Sequence, residues 1–414
     1  MSKVIQQIFE EYNRSRIQFT QNVCDYCLKS HNIEILINTD IIILLRPLIL
    51  DKVPIVQQNA TLILGKLASH SEEIALTILE NDILPHLIYC LKHENKNYRK
   101  NSAYTLQCLA RHNEKLAKMV GEDNCIDYLI DGLYEYDIKL KESYINTLCA
   151  IIKNDEELSN IVVNKGIIPL LILCLQEKDN NLIKSSINIL SELSKHSIDI
   201  AKNIVDNNCL SNLIKFLDNN DIYIKRYTCN CISNIAKHKD ELTELIIEND
   251  VFPKILYLLK DNDDIVKKNC ANCLKEMSKH NEDICKIITR AGTIPFLCDF
   301  IDISKDHMEL PAILWKHSTE HAKKIADENL LIILVNLYNS NDSSDDLKKK
   351  IKEALKLIIQ KITDINALQP IFIKSTWPLA KYSILQFSKL LPKNSSSKKA
   401  FIQSGCLKYL QVII

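Results

Sequence analysis

The sequence predicts an all-α fold, a right-handed superhelical solenoid of three-helix repeats. Three observations carry that prediction. His70, His112, His196, His238 and His280 share one local context, and Asn154 fills the single gap, so consecutive members stand 42 residues apart. A second marker keeps the same stride: Asp82-Ile83-Leu84-Pro85, Lys165-Gly166-Ile167-Ile168-Pro169, Asp250-Val251-Phe252-Pro253 and Gly292-Thr293-Ile294-Pro295. Glycine is scarce, six in 414 residues, which disfavours phosphate-cradling loops and tight hairpins alike. A period of about 40–47 residues with two or three helices per unit is the armadillo/HEAT class.

Each unit reads as three helices. In the unit beginning at Lys239, a first helix runs over 241–248 and breaks at Asn249-Asp250. Pro253 suits the first turn of a second helix, where a missing N–H costs nothing, and that helix runs to about Leu259. The polar turn Asp261-Asn262-Asp263-Asp264 caps a third helix over 265–279, with Val266, Leu274 and Met277 facing inward. After the histidine column, Ser71, Asn113, Asp155, Ser197 and Asn281 are N-cap residue types followed by acidic residues. Arg111, Lys153, Lys195, Lys237 and Lys279 precede the column and suit the negative end of the third helix.

The organisation that follows is a helical cap over 1–30, regular repeats over 31–280, a shortened repeat over 281–317, and further helical repeats over 318–414. The register breaks between His280 and His317, only 37 residues apart, around Pro311. The apolar end, Tyr409 to Ile414, where a polar capping unit is usual, predicts a truncated array or a covered one.

Composition narrows the function. Fifty-two basic residues balance fifty-two acidic ones, so no net field gathers nucleic acid or anionic membrane. No GxGxxG, GxxxxGK[ST] or GxSxG motif occurs. Apolar runs such as Ile41–Leu45 fall well short of a membrane span of ~20 residues, and the first residues lack a signal-peptide pattern. The expectation is an intracellular, soluble chain whose fifteen cysteines are reduced.

The histidine column offers metal ligation, pH sensing or structure. A stride of one repeat, about 10 Å on usual solenoid spacing, is incompatible with zinc bonds near 2 Å. The expected role is structural, at the end of the third helix, where imidazole meets free carbonyls. Cys24/Cys27 and Cys270/Cys273 have CxxC spacing but lie too far apart for paired zinc knuckles. Cys125 and Cys209 share a column with Ile83, Ile167 and Val251, and Cys285 shares one with Ala75, Ala117 and Ala201, which predicts core packing. No residue pattern marks a nucleophile, and the expectation is no enzyme, no cofactor and no metal.

The binding signal lies on the third helices. Eight residues before the histidine column stand Asn146, Asn188, Asn230 and Asn272, after Leu62 and Tyr104. Four residues earlier on the same face lie Lys100, Lys184, Arg226 and Lys268, with Glu142 as the exception. Amides spaced by one repeat suit an extended backbone, and the basic row suits acidic side chains. The competing reading is a hydrated face that touches nothing specific.

The run Ile8-Phe9-Glu10-Glu11-Tyr12-Asn13-Arg14-Ser15-Arg16-Ile17-Gln18-Phe19 resembles the amino terminus of the sperm-associated antigen six family. So do Asn32-Ile33-Glu34, Val53-Pro54-Ile55-Val56-Gln57-Gln58, Val266-Lys267-Lys268-Asn269, Ser343-Ser344-Asp345-Asp346-Leu347 and Gln386-Phe387-Ser388-Lys389-Leu390-Leu391-Pro392. These are armadillo proteins of the flagellar central apparatus. The family pattern holds about one further repeat between Leu310-Pro311 and Lys316-His317, and it continues beyond Ile414. The resemblance implies a scaffold of the cytoskeleton in the flagellar axoneme. Its partners would be proteins, the central-pair microtubule or its associates, with no nucleic acid, membrane or small-molecule substrate. A transport or signalling adaptor of the importin-α or β-catenin kind is the alternative. Repeated Trp…Asn pairs are missing, however: the tryptophan column holds Asn230 and its equivalents, and Asn234 alone fits the asparagine partner position.

Overall fold

The computed structural model describes residues 3–122, 124–280, 282–291, 330–340, 343, 345–393 and 395–413. It contains helices and no strand among them. The chain divides into two compact units, Met1–Cys209 and Leu210–Ile414.

The first unit opens with α1 (Lys3–Tyr26). Four helical triplets follow: α2 (Ser30–Ile37), α3 (Ile41–Leu45) and α4 (Pro54–Ala68); α5 (Glu72–Glu80), α6 (Leu84–Cys90) and α7 (Lys96–Ala110); α8 (Glu114–Gly121), α9 (Cys125–Asp131) and α10 (Ile138–Ile152); α11 (Glu156–Asn164), α12 (Ile167–Cys174) and α13 (Asn180–His196). Then comes α14 (Ile198–Asp206). α1, α4, α7, α10 and α13 pack side by side as successive rungs. The second unit holds α15 (Cys209–Phe216), which begins at the unit boundary, α16 (Ile222–Ala236), α17 (Asp240–Glu248), α18 (Val251–Leu258), α19 (Asp264–Ser278) and α20 (Glu282–Arg290). α16 and α19 pack as its rungs. Further helices span Leu330–Asn339, Asp345–Ile359, Ile365–Lys374, Trp377–Leu390, Ser395–Gln403 and Cys406–Ile413.

The unit from Lys239 matches its sequence reading to within a residue. Its breaker Asp250 has φ 55°, the Asp263 side chain caps the third helix by accepting from the Val266 N–H, and Val266, Leu274 and Met277 are fully buried. Ser71, Asn113, Asp155 and Ser197 each accept a hydrogen bond from the backbone N–H three residues on. Asn281, the Gly292–Pro295 marker and the shortened repeat around Pro311 and His317 lie outside the described residues, save 282–291.

A left-handed residue closes each first helix. Asp40, Asp82, Gly166, Asn208 and Asp250 stand 42 residues apart or at a multiple of that stride, and all have φ between 52° and 83°. Glycine, Asn and Asp tolerate this conformation and β-branched residues do not. The recurring Asp/Gly-Ile-Leu-Pro marker is therefore a backbone requirement. Asn124 is the one column member measured outside it, at φ −96°.

Polar side chains tie each rung to the one before. His112 Nε2 lies 2.6 Å from the Ala68 carbonyl oxygen, and His280 Nε2 lies 2.5 Å from that of Ala236. Thr105 and Thr147 hydroxyls lie 2.8 and 2.9 Å from the carbonyl oxygens of Thr61 and Ala103. Asn101 and Asn269 amides donate to Gln58 and Arg226 carbonyls at 3.0 Å. Arg111 and Lys195 donate to the carbonyls of Ser69 and Lys153. The histidine, Arg111 and Lys195 bonds satisfy carbonyls at helix ends, where the helix supplies no donor, and all of these bonds join side chains to rungs 42–44 residues away. His112 and His280 thus stand at the carbonyls of third-helix ends, as expected of the column. Between the rungs the packing is apolar: Ile83, Cys125, Ile167, Cys209 and Val251 are all fully buried, as are Ala75, Ala201 and Cys285.

Candidate functional site

The third helices place their eight-before-histidine positions on a face that the core does not consume. In the first unit this produces a cleft of about 530 Å³ between α7 and α10. Leu62, Lys100, Asn101, Tyr104, Gln107, Lys139, Glu142, Ser143 and Asn146 line it. Gly65 seats the Tyr104 ring, since a Cβ there would stand 2.8 Å from it. Burial pushes the Tyr104 phenol up to about 12, so it stays neutral. Leu62 and Tyr104 thereby supply apolar surface among polar neighbours.

Lys100 and Asn146, read separately from the sequence, come together here. Lys100 is exposed and makes no ion pair among the described residues; Asn146 is half-buried and its amide makes no hydrogen bond among them. Lys139 is paired with Glu142 at 3.0 Å, and the interaction raises its pKa. The exception in the basic row, Glu142, therefore neutralises a neighbour and leaves Lys100 as the cation without a counter-ion at this cleft. Chemically the cleft offers one ammonium, one unengaged amide and an apolar strip, a set suited to an extended peptide.

The other predicted positions are placed less uniformly. Asn188 is half-buried and its amide turns back to Cys149 Sγ at 3.3 Å. Lys184, on the same helix, is half-buried and has interactions of its own. In the second unit Arg226 is committed: its guanidinium grips the Asp263 carboxylate through two nitrogens and lies 5.1 Å over the Tyr223 ring. The Arg226 guanidinium holds Asp263 below its ordinary pKa. The expectation that Arg226 offers its charge to a partner gives way to an internal rung-to-rung bridge. Asn230 is half-buried with contacts of its own, whereas Lys268 and Asn272 are exposed on α19.

Sequence columns missed Asn101, Gln107, Lys139 and Ser143 as cleft residues. A signal existed, because all four project from the turns that carry Lys100, Tyr104, Glu142 and Asn146. No group of three or more His, Cys, Asp or Glu side chains among the described residues is placed to hold a metal ion. No single helix among them is long and apolar enough to cross a membrane.

Comparison with known proteins agrees with this architecture. Residues 179–286, a helical stretch, match a family model described as DNA alkylation repair enzyme. Among solved structures, an engineered protein superposes with a TM-score of 0.77 at 20% identity, covering 94% of both chains. A designed armadillo repeat protein in complex with the peptide (KR)4 superposes at 0.52 and 15% identity, covering 66% of this chain and 99% of its own. At these identities the likeness concerns the fold. Sperm-associated antigen 6 is 45% identical over 94 residues in Mus musculus and 44% over 94 residues in Homo sapiens. Those matches cover 23% of this chain and 18% of each relative. The chain has the fold of an armadillo-type repeat array and shares a stretch of closely similar sequence with sperm-associated antigen 6.

Proposed function

We propose that the protein is a non-enzymatic scaffold of the axonemal central apparatus in a motile flagellum, and that it holds extended segments of partner proteins on its third-helix face. The observation that carries the binding half is the meeting at the α7–α10 cleft of Lys100 and Asn146, neither side chain engaged among the described residues. The axonemal half is supported by the likeness to sperm-associated antigen 6. Lys268 and Asn272, exposed on α19, extend the same chemistry; Asn188, Asn230 and Lys184 stand at the equivalent positions with contacts of their own, and Arg226 serves the rung itself.

The test is co-purification of axonemal proteins with a tagged chain from flagellated cells. Lys100→Gln combined with Asn146→Ala is expected to leave folding intact and to lower the yield of at least one partner several-fold. Unchanged partners would remove the cleft from the account, and absence of the tagged chain from axonemes would remove the axonemal role.

A DNA-repair reading has the family match over 179–286 in its favour. That stretch carries fifteen Lys and Arg against seventeen Asp and Glu. Duplex binding draws its affinity from cations that neutralise phosphates, and this stretch has no excess of them. No shift of alkylated duplex DNA at low salt is the expected result; a tight, salt-sensitive complex would revive the enzyme.

A further inference from the structure

The helix α1 is longer than the rung it precedes. It has 24 residues against 15 for α4. The Lys66 ammonium donates to the Cys24 carbonyl 42 residues earlier, so the carboxy-terminal half of α1 stands in register with α4. Subtracting that stride from Pro54 gives Tyr12, and the nine residues from Lys3 to Glu11 run past the start of α4 by about 13 Å. Every residue from Lys3 to Tyr12 is exposed.

This overhang is not polar. Val4, Ile5, Ile8, Phe9 and Tyr12 are 61, 56, 61, 61 and 57% exposed. At 100° per residue they form one stripe. Val23 lies 18 residues, five full turns, from Ile5 and so falls on that stripe, and Val23 is buried in the half packed on α4. From Val4 to Tyr12 the stripe is apolar and bare; further along, Ser15 and Arg16 interrupt it and Val23 is its buried member. An apolar patch of this size is comparable to the largest that monomers expose, and such patches are often functional.

We propose that the overhang of α1 pairs with the same segment of a second copy, as an antiparallel two-helix seam. Its sequence is self-complementary about a twofold axis between Ile8 and Phe9. Ile8 then stands level with Phe9 of the other copy and Ile5 with Tyr12, a smaller side chain against a larger one each time. Gln6, Gln7 and Glu10 fall outside the stripe, so the seam carries no like-charge pair. Lys3 and Arg14 lie on the opposite side of the helix. Five side chains exposed to this extent offer roughly 500 Å² per copy, or about 1,000 Å² in all, the lower edge of a specific interface. A reversible dimer of micromolar dissociation constant follows. This surface is independent of the α7–α10 cleft.

Sedimentation of the full chain between about 1 and 100 µM tests it. Wild type is expected to pass from monomer to dimer across that range, and Ile8→Glu with Phe9→Glu is expected to weaken dimerisation at least tenfold. Both residues are exposed, so an unchanged circular dichroism spectrum should accompany the loss. Under mild oxidation Ile8→Cys should crosslink as a dimer and Val4→Cys, level with Asn13, should not. A wild-type chain that stays monomeric to 100 µM, a double variant that dimerises as before, or equal crosslinking at both positions would overturn the proposal.

Discussion

Replacing His112 by Ala isolates one rung-to-rung clamp. The His112 ring is half-buried, and its Nε2 lies 2.6 Å from the carbonyl oxygen of Ala68, the last residue of α4. Losing one such hydrogen bond costs about 1 kcal/mol net, and leaving a partly buried carbonyl without a donor raises this toward ~2 kcal/mol. With a urea slope near 3 kcal/mol/M for a unit of this size, the midpoint of the first unit should fall by roughly 0.3–0.7 M. The sequence supplies a reciprocal experiment. Asn154 is the one non-histidine in the column, and by the 44-residue offset a histidine there faces the Ala110 carbonyl at the end of α7. Asn154→His should recover about 0.5–1 kcal/mol. Urea unfolding followed by tyrosine fluorescence, with native-state hydrogen exchange of the α4 and α7 carboxy-terminal turns, reads both changes. A His112→Ala chain with an unmoved midpoint and unchanged protection would refute the clamp, as would an Asn154→His chain that loses stability.

Other consequences are narrower. Burial, with Lys195 beside it, holds the His196 imidazole below its ordinary pKa of 6.5 against the pull of the Ile152 carbonyl. The unfolded chain therefore takes up that proton first: the stability contribution is complete above pH 6.5 and is lost as pH falls toward the folded pKa, and His196→Gln should flatten this part of a urea midpoint–pH curve. Gly132→Ala would drive a Cβ to 1.8 Å from the fully buried Tyr144 ring, so a loss of about 1–3 kcal/mol is expected, with partial rescue by Tyr144→Leu, read by thermal unfolding. In the left-handed column, Asp82→Val should lower stability by about 1–2 kcal/mol whereas Asp82→Gly should be neutral or better. Asp155→Ala removes the cap accepting from the Leu158 N–H and should cost about 1 kcal/mol in the same assay.

Much of this was legible because a repeat compares each position with its equivalents. One histidine says little; five at one stride identify the end of a third helix. One buried cysteine is ambiguous, but Cys125 in a column with Ile83 and Ile167 is a core residue. The left-handed turn was equally available, since Asp40, Asp82, Gly166, Asn208 and Asp250 share the stride, yet it takes backbone angles to see why. What columns cannot give is a side chain's choice among neighbours. Arg226 and Lys100 occupy the same column, but Asp263 stands 37 residues beyond Arg226 and captures it, while Asp137, one rung beyond Lys96, pairs with Lys96 and leaves Lys100 open. Asn188 and Asn146 likewise share a column and diverge because Cys149 stands within reach of Asn188. These outcomes depend on rotamers and on residues off the column, where sequence periodicity carries no information.

The central claim is that helices stacked at a stride of 42 residues bury one another and leave one face of their third helices open to a partner. Excising residues 113–154, one whole stride, tests it most directly. The account predicts a shortened chain with unchanged helical ellipticity per residue and cooperative unfolding, because every column rejoins in register. Excising residues 113–133, half a stride, should abolish cooperative unfolding. Equal behaviour of the two deletions, whether both fold or both fail, would contradict the account.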